Sequence, residues 1–329
     1  MNQNMKRKDA LKEAVEASVL RLRKEDPTRG TRTIAQAMGI SRNRVVRILR
    51  RQAQPVLTRS SDGPVQYVKP TPIHVPQIHV SKLRKRPQRV HCIIPDVQVK
   101  PGVPTDHLHW IGNYIAEKRP DVIVQIGDFA DMPSLSSYSL GQAEAEGNRY
   151  VKDIQAAQDA MDELMRPIRA VKGYEPEMIL TLGNHEDRID REAEANPRFM
   201  GAISTDDLRY AEWGWNVKPF LQVVRIDGWE YSHYFVSGAM GRPVSSAAVL
   251  LRERQRSAVM GHVQYTDIAF HKRTGNIGIF CGICYQHDEK YLTPQGNTTR
   301  RQIVMLHEVH DGVGDPMLVS LAFLKERYS

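Results

Sequence analysis

Residues 177–186, Glu-Met-Ile-Leu-Thr-Leu-Gly-Asn-His-Glu, run from an apolar stretch straight into a glycine followed by three polar, chemically capable side chains. A short apolar run of this kind reads as a buried strand, and the glycine marks its end. The arrangement recurs along the chain. Residues 122–131 pass from Val-Ile-Val-Gln-Ile to Gly127-Asp128-Phe129-Ala130-Asp131. Residues 90–98 lead into Asp96-Val97-Gln98, and residues 258–264 lead into Gly261-His262-Val263-Gln264. Between these runs the periodicity changes to that of helices. Leu108, Ile111, Ile115 and Ala116 share one face of residues 106–118, and Ile154, Ala157, Met161, Leu164 and Met165 share one face of residues 150–165. Residues 220–226 and 229–235 around Asp227-Gly228 read as a hairpin, since Asp-Gly supplies the positive φ angles of a tight turn. Strands alternating with helices specify an α/β domain, here over residues 90–329. Ligands of open α/β sheets bind outside the carboxyl ends of the strands, so all four polar blocks are expected in one crevice.

The rest of the chain is organised differently. Of the 329 residues, 41% are hydrophobic, enough for a sizeable core. The net charge of +8 is unevenly spread: residues 1–90 carry 21 basic and 6 acidic side chains (+15), and the remainder 25 and 32 (−7). One end is therefore suited to a polyanion. No apolar run approaches the roughly 20 residues of a membrane span, and the polar N-terminus is not a secretory signal, so a cytoplasmic location is expected. Three cysteines argue against a disulfide framework, and Cys281 and Cys284, a single C-x-x-C, read as small residues beside a buried strand. Residues 54–89 hold several prolines and end in a basic run, which reads as an extended linker.

Residues 1–53 read as helical. Within them Thr31 to Arg51 place Ala35 where two helices cross, Gly39 at a turn and Ser41 as the N-cap of a second helix. Ile34, Met38, Ile40, Val45 and Ile48 form the packing positions, leaving Arg42, Asn43, Arg44 and Arg47 outward. The stretch resembles the helix-turn-helix family, which implies a second helix in the major groove of DNA with flanking arginines on phosphates.

The polar blocks, with His233 between the last two, resemble the calcineurin-like metallophosphoesterase superfamily, whose pattern is D-x-H, G-D-x-x-D, G-N-H-[DE], H and G-H-x-H. The resemblance spans residues 90–311, and 127–138 and 183–188 look like phosphoesterases common in bacteriophage genomes, which would place the protein in the host cytoplasm. It implies an α/β fold of four layers, αββα, with two facing sheets. It also implies two divalent ions: Asp96 at the first, Asp128 bridging, and Asn184, His233 and His262 at the second. His185 would act as general acid or transition-state stabiliser, oriented by Asp131, with Arg188 near a substrate phosphate. The chain departs from the pattern twice, with Gln98 and Gln264 in place of histidines at the first position. Neutral amide oxygens there favour Mn2+, or Mg2+, over zinc and imply one labile ion. Manganese-dependent ADP-ribose and CDP-alcohol diphosphatases are similar in carrying glutamine in the first block. The implied reaction is in-line attack on phosphorus by a hydroxide bridging the ions. With the basic front, a nuclease or phosphodiesterase acting on DNA is the leading expectation. A small-nucleotide or phosphoprotein phosphohydrolase is an alternative, as is a DNA-binding scaffold with a decayed centre.

Overall fold

Strand β1 (Arg89–Ile94) begins where the basic stretch ends, and from His91 onward every side chain is buried. In the computed structural model, which describes residues 3–26, 30–41, 44–46, 48–49, 88–138 and 141–329, the chain forms two units divided after Ile78. The linker residues 54–87 lie outside the described residues; Arg89, assigned to the linker from sequence, belongs to β1.

In the larger unit β1, β2 (Val122–Gln125), β3 (Glu177–Thr181) and β4 (Asn216–Lys218) run parallel. Strands β12 (Gln302–His310) and β13 (Val313–Ser320) continue the sheet antiparallel, giving the order β13-β12-β1-β2-β3-β4. In a second sheet β6 (Trp229–Ser232), β9 (Ala258–Met260) and β11 (Ile277–Cys281) form a parallel centre, with β5 (Val224–Ile226) and β10 (Thr266–Phe270) antiparallel at the edges. Its order is β10-β11-β9-β6-β5, and β7 (Val236–Ser237) pairs with β8 (Arg242–Pro243) in a separate two-stranded ribbon. The β5–β6 turn has Asp227 and Gly228 at φ 48° and 84°, the geometry expected of Asp-Gly.

Alternation along the strands decides the layers, because successive side chains point to opposite faces. Ile93, Val122, Val124 and Ile179 of the first sheet pack against Trp229, Tyr231, Val259 and Ile279 of the second. On the far side of the first sheet, Cys92, Ile94, Ile123 and Leu180 meet the two helices Asp106–Lys118 and Tyr150–Arg169. On the far side of the second, Ala258, Met260 and Phe280 meet Ala247 and Leu250 of the helix Ala247–Arg254. The unit is thus a mixed α/β structure with helices outside two facing sheets. The helix from Tyr150 extends beyond the expected Met165, through Pro167, to Arg169. Its packing partner Gly112 lies where a side chain would strike the Leu164 carbonyl and Pro167 Cγ (3.1 Å), so the absence of a side chain there lets the two helices approach closely.

In the smaller unit, helices span Gln3–Glu25 and Thr31–Met38, and residues 44–46 and 48–49 are helical. Gly39 caps the second helix at φ 59°. Ser41 Oγ accepts from the Arg44 amide at 3.3 Å, as an N-cap does. Val19, Ile34, Ala35, Val45 and Ile48 are buried together. Arg44 is exposed, while Arg42, Asn43 and Arg47 lie outside the described residues. Among the described residues no helix is long and apolar enough to cross a membrane.

Candidate metal centre

The carboxyl ends of β1, β2 and β3 in one sheet and of β6 and β9 in the other open on the same crevice. They carry Asp96, Asp128, Asn184, His233 and His262 there. The approach is close enough to explain the glycines. A Cβ on Gly183 would sit 2.8 Å from Asp128 Cγ and nearer still to its Oδ1 and amide nitrogen, and one on Gly261 would sit 2.5 Å from Asp96 Oδ1. Gln98, Asp128 and His262 adopt left-handed backbone conformations, φ 47°, 52° and 66°. Such conformations cost on the order of 1–3 kcal/mol each and persist only where surrounding contacts hold them.

Glu186 supplies much of that hold. Its buried carboxylate accepts from the amides of Asp128 (3.0 Å), Gly183 (2.9 Å) and Ala130 (2.9 Å), tying the loop after β2 to the loop after β3. Tyr210 OH lies at 3.5 Å behind it. Burial, then the neighbouring Asp128 charge, raise the Glu186 carboxyl above its ordinary range.

Asp128, His233 and His262 each place one ligand atom within 4.8 Å of the other two. Asn184 Oδ1 stands 2.9 Å from His233 Nε2 and 2.8 Å from His262 Nδ1. Asp128 Oδ2 is 3.3 Å from His233 Nε2. His233 Nδ1 faces the Ile126 carbonyl at 3.0 Å, and a carbonyl only accepts, so Nδ1 carries the proton of the neutral ring. The Nε2 lone pair then points at two oxygen acceptors, an arrangement that requires a proton or a cation among them. Two imidazoles, a carboxylate and an amide oxygen suit a divalent transition ion. In the ion-free protein the proton does this work: burial opposes it, but Asp128 raises His233 to about 9. Burial alone would raise Asp128, yet the His185 and His233 imidazoles hold it well below the usual carboxylate range. Burial, then the charge on His233, push His262 down to about 4.

Asp96, fully buried, accepts from the His262 amide through Oδ1 (3.1 Å) and from Gln264 Nε2 through Oδ2 (3.2 Å). Gln98 is buried too, its Oε1 accepting from Tyr291 OH at 3.0 Å while its Nε2 has no partner. Beside these groups His185 Nδ1 is 2.7 Å from Asp131 Oδ1, and His185 Nε2 is 3.7 Å from Asp128 Oδ2. Burial works against a charge on His185, but Asp128 and Asp131 outweigh it and raise its pKa. Arg188 is not a solvated arginine: it donates to the Asp131 carbonyl at 2.7 Å and stands 3.3 Å from His185 Nε2.

Every site residue read from the sequence of the larger unit therefore lies in this one place. Sequence reasoning missed Glu186 as a clamp, Tyr285 and Tyr291 as partners of the glutamines, and the pairing of half-buried Lys100 with buried Glu289. Lys100 Nζ bridges Asp131 Oδ2 (3.0 Å) and Glu289 Oε1 (2.5 Å). Only Glu186 left a local signal, as the last residue of Gly-Asn-His-Glu. His107, read as a packing or surface histidine, is buried in its helix, and burial pushes it down to about 3. Cys281 and Cys284 are buried thiols facing the carbonyls of Met260 and Pro95.

No family model matches the chain. Gene 54 protein of Mycobacterium phage D29 is 27% identical over 187 residues, 54% of this chain and 70% of the phage protein. The crystal structure of wild-type Vps29 from Entamoeba histolytica complexed with Zn2+ aligns at 11% identity and a TM-score of 0.32, covering 70% of this chain and 99% of that one. Another crystal structure aligns with the same coverage at 14% identity and a TM-score of 0.37. At such distances the chemistry is read from the side chains themselves.

Proposed function

We propose that this protein is a divalent-metal-dependent phosphoesterase of the calcineurin-like type, acting on DNA phosphodiesters, with Mn2+ as its preferred ion. The observation that carries the reading is the meeting of Asp128, Asn184, His233 and His262 at one point beside the His185–Asp131 pair. Asp128, Asn184, His233 and His262 would hold the ion. When bound it would polarise a phosphoryl oxygen and lower the pKa of water. The protein's own contribution is placement and proton control. Asp131 fixes the His185 ring through Nδ1, leaving Nε2 as the atom that gives a proton to the departing oxygen. Arg188, held by the Asp131 carbonyl, keeps a fixed positive charge next to that nitrogen, where phosphate charge would develop. Glu186 keeps Asp128 in its left-handed conformation, so the carboxylate does not reorganise during the reaction.

The DNA assignment rests on the front of the chain. The net +15 over residues 1–90, the Ser41 cap and the small core of Val19, Ile34, Ala35, Val45 and Ile48 support a helix-turn-helix that delivers the catalytic unit to DNA. Tethering raises the local concentration of substrate. Purified protein with Mn2+ is offered single-stranded DNA, duplex DNA, ADP-ribose and bis-p-nitrophenyl phosphate. DNA cleavage that His185→Ala abolishes, and that weakens on removal of residues 1–53, is the expected result. Cleavage of ADP-ribose with DNA untouched would move the substrate to small nucleotides, and DNA binding without turnover of any substrate would refute the enzyme.

A further inference from the structure

The two glutamines that stand where the related pattern has histidines are not equivalent. Gln264 Nε2 lies 3.2 Å from the backbone carbonyl of His262 and 3.2 Å from Asp96 Oδ2. Both of those oxygens accept, so the nitrogen of the amide must face them. Gln264 Oε1 points the other way and accepts from Tyr285 OH at 2.6 Å. Turning the amide over would set three acceptor oxygens against one another. The lone pairs of Gln264 are therefore directed away from Asp96, and N–H hydrogens occupy the side from which a cation would approach. Asp96 is supplied with hydrogen at both oxygens, Oδ1 from the His262 amide and Oδ2 from Gln264. Gln98 is not fixed in this way. Its oxygen meets Tyr291 OH, a hydroxyl that can accept as well as donate, and its nitrogen has no partner.

We propose that Gln264 takes the place of the first ion: its amide hydrogens satisfy Asp96, Tyr285 latches the amide in that orientation, and the chain holds one tight divalent ion, at Asp128, Asn184, His233 and His262. The inference rests on the metal centre proposed above and gives one ion where the resemblance to the family pattern implied two. A single ion held this way would polarise a phosphate from one side only, which would leave His185 and Arg188 to neutralise charge on the other.

The test counts ions on the full chain. Chelator-stripped protein is titrated with Mn2+ by calorimetry, and bound ions are counted by native mass spectrometry. The wild type is expected to bind one ion tightly. Gln264→His removes the N–H groups from Asp96 and adds an imidazole; it should bind two, with second-ion affinity raised on the order of 10–100-fold, the scale of changes around metal ligands. Two adjacent Mn2+ ions also give an exchange-coupled electron paramagnetic resonance spectrum, which a single ion does not. Gln264→Glu, closer in shape, serves if the histidine variant fails to fold and should gain the second ion too. Gln98→His alone should stay at one ion, because Gln264 is still in place. Two tight ions in the wild type, or a folded Gln264→His or Gln264→Glu that remains at one, would overturn the inference while leaving a metal centre intact. No bound ion in any form would overturn the metal centre itself.

Discussion

Gly183→Ala tests how tightly the centre is built. The new methyl would lie 2.8 Å from Asp128 Cγ and closer to Asp128 Oδ1 and its amide nitrogen, all on a loop that Glu186 holds from behind. Ordinary carbon contacts are about 3.5–4.0 Å, so the two loops must part by roughly 1 Å. Overpacking of this kind costs about 1–3 kcal/mol. Parting also strains two hydrogen bonds to charged groups, Asp128 N–H to Glu186 and His185 N–H to Asp128 Oδ1 (3.0 Å), each contributing about 1.5–3 kcal/mol when intact. With partial relaxation the expected loss is about 3–5 kcal/mol, a large share of the roughly 5–15 kcal/mol that stabilises an ordinary domain. Urea unfolding of wild type and variant reads this directly, and calorimetric Mn2+ titration of whatever remains folded should show the affinity falling at least tenfold. An alanine variant within about 0.5 kcal/mol of wild type, the usual range for a neutral surface change, with unchanged Mn2+ binding would refute the packing described here.

Other perturbations follow from the same geometry. Because a bound ion must displace the His233 proton, apparent Mn2+ affinity should rise with pH, about tenfold per unit, and level off near pH 9; titration at pH 6, 7, 8 and 9 measures it. The sign is opposite for the ion-free protein. The raised His233 pKa contributes stability that is complete below about 6.5 and lost as pH climbs through 9, so stripped protein should denature at lower urea at pH 9 than at pH 6.5. Asp131→Asn should leave Mn2+ binding near wild type but cut turnover by about 10²–10⁴-fold, the scale of a misoriented general acid; equal loss of metal and turnover would show that Asp131 only supports the fold. Burial pushes the Cys92 thiol up to about 12 and holds those of Cys281 and Cys284 well above the ordinary thiol range, so all three should resist an aromatic disulfide reagent until the protein is unfolded. Fast labelling of native protein would contradict that burial.

The sequence by itself determined what is local. An apolar run followed by glycine, or by Pro95 in the first block, and a ligand-type residue specified strand ends at Asp96, Asp128, Asn184 and His262, and Asp227-Gly228 specified a turn. Helical spacing located the helix over 106–118 to the residue. These features depend on neighbours a few positions away, so the order of residues carries them. What only the tertiary structure decided is how groups distant in sequence are turned toward each other. Whether Gln264 offers an oxygen or a nitrogen to Asp96 depends on the His262 carbonyl and on Tyr285, 21 residues farther along. That Glu186 clamps the Asp128 loop depends on a contact spanning 58 residues. The proton on His233 is set by the Ile126 carbonyl, 107 residues away. Hydrogen-bond direction is fixed by which partner can only accept. That partner is a backbone carbonyl whose position only the folded sheets define.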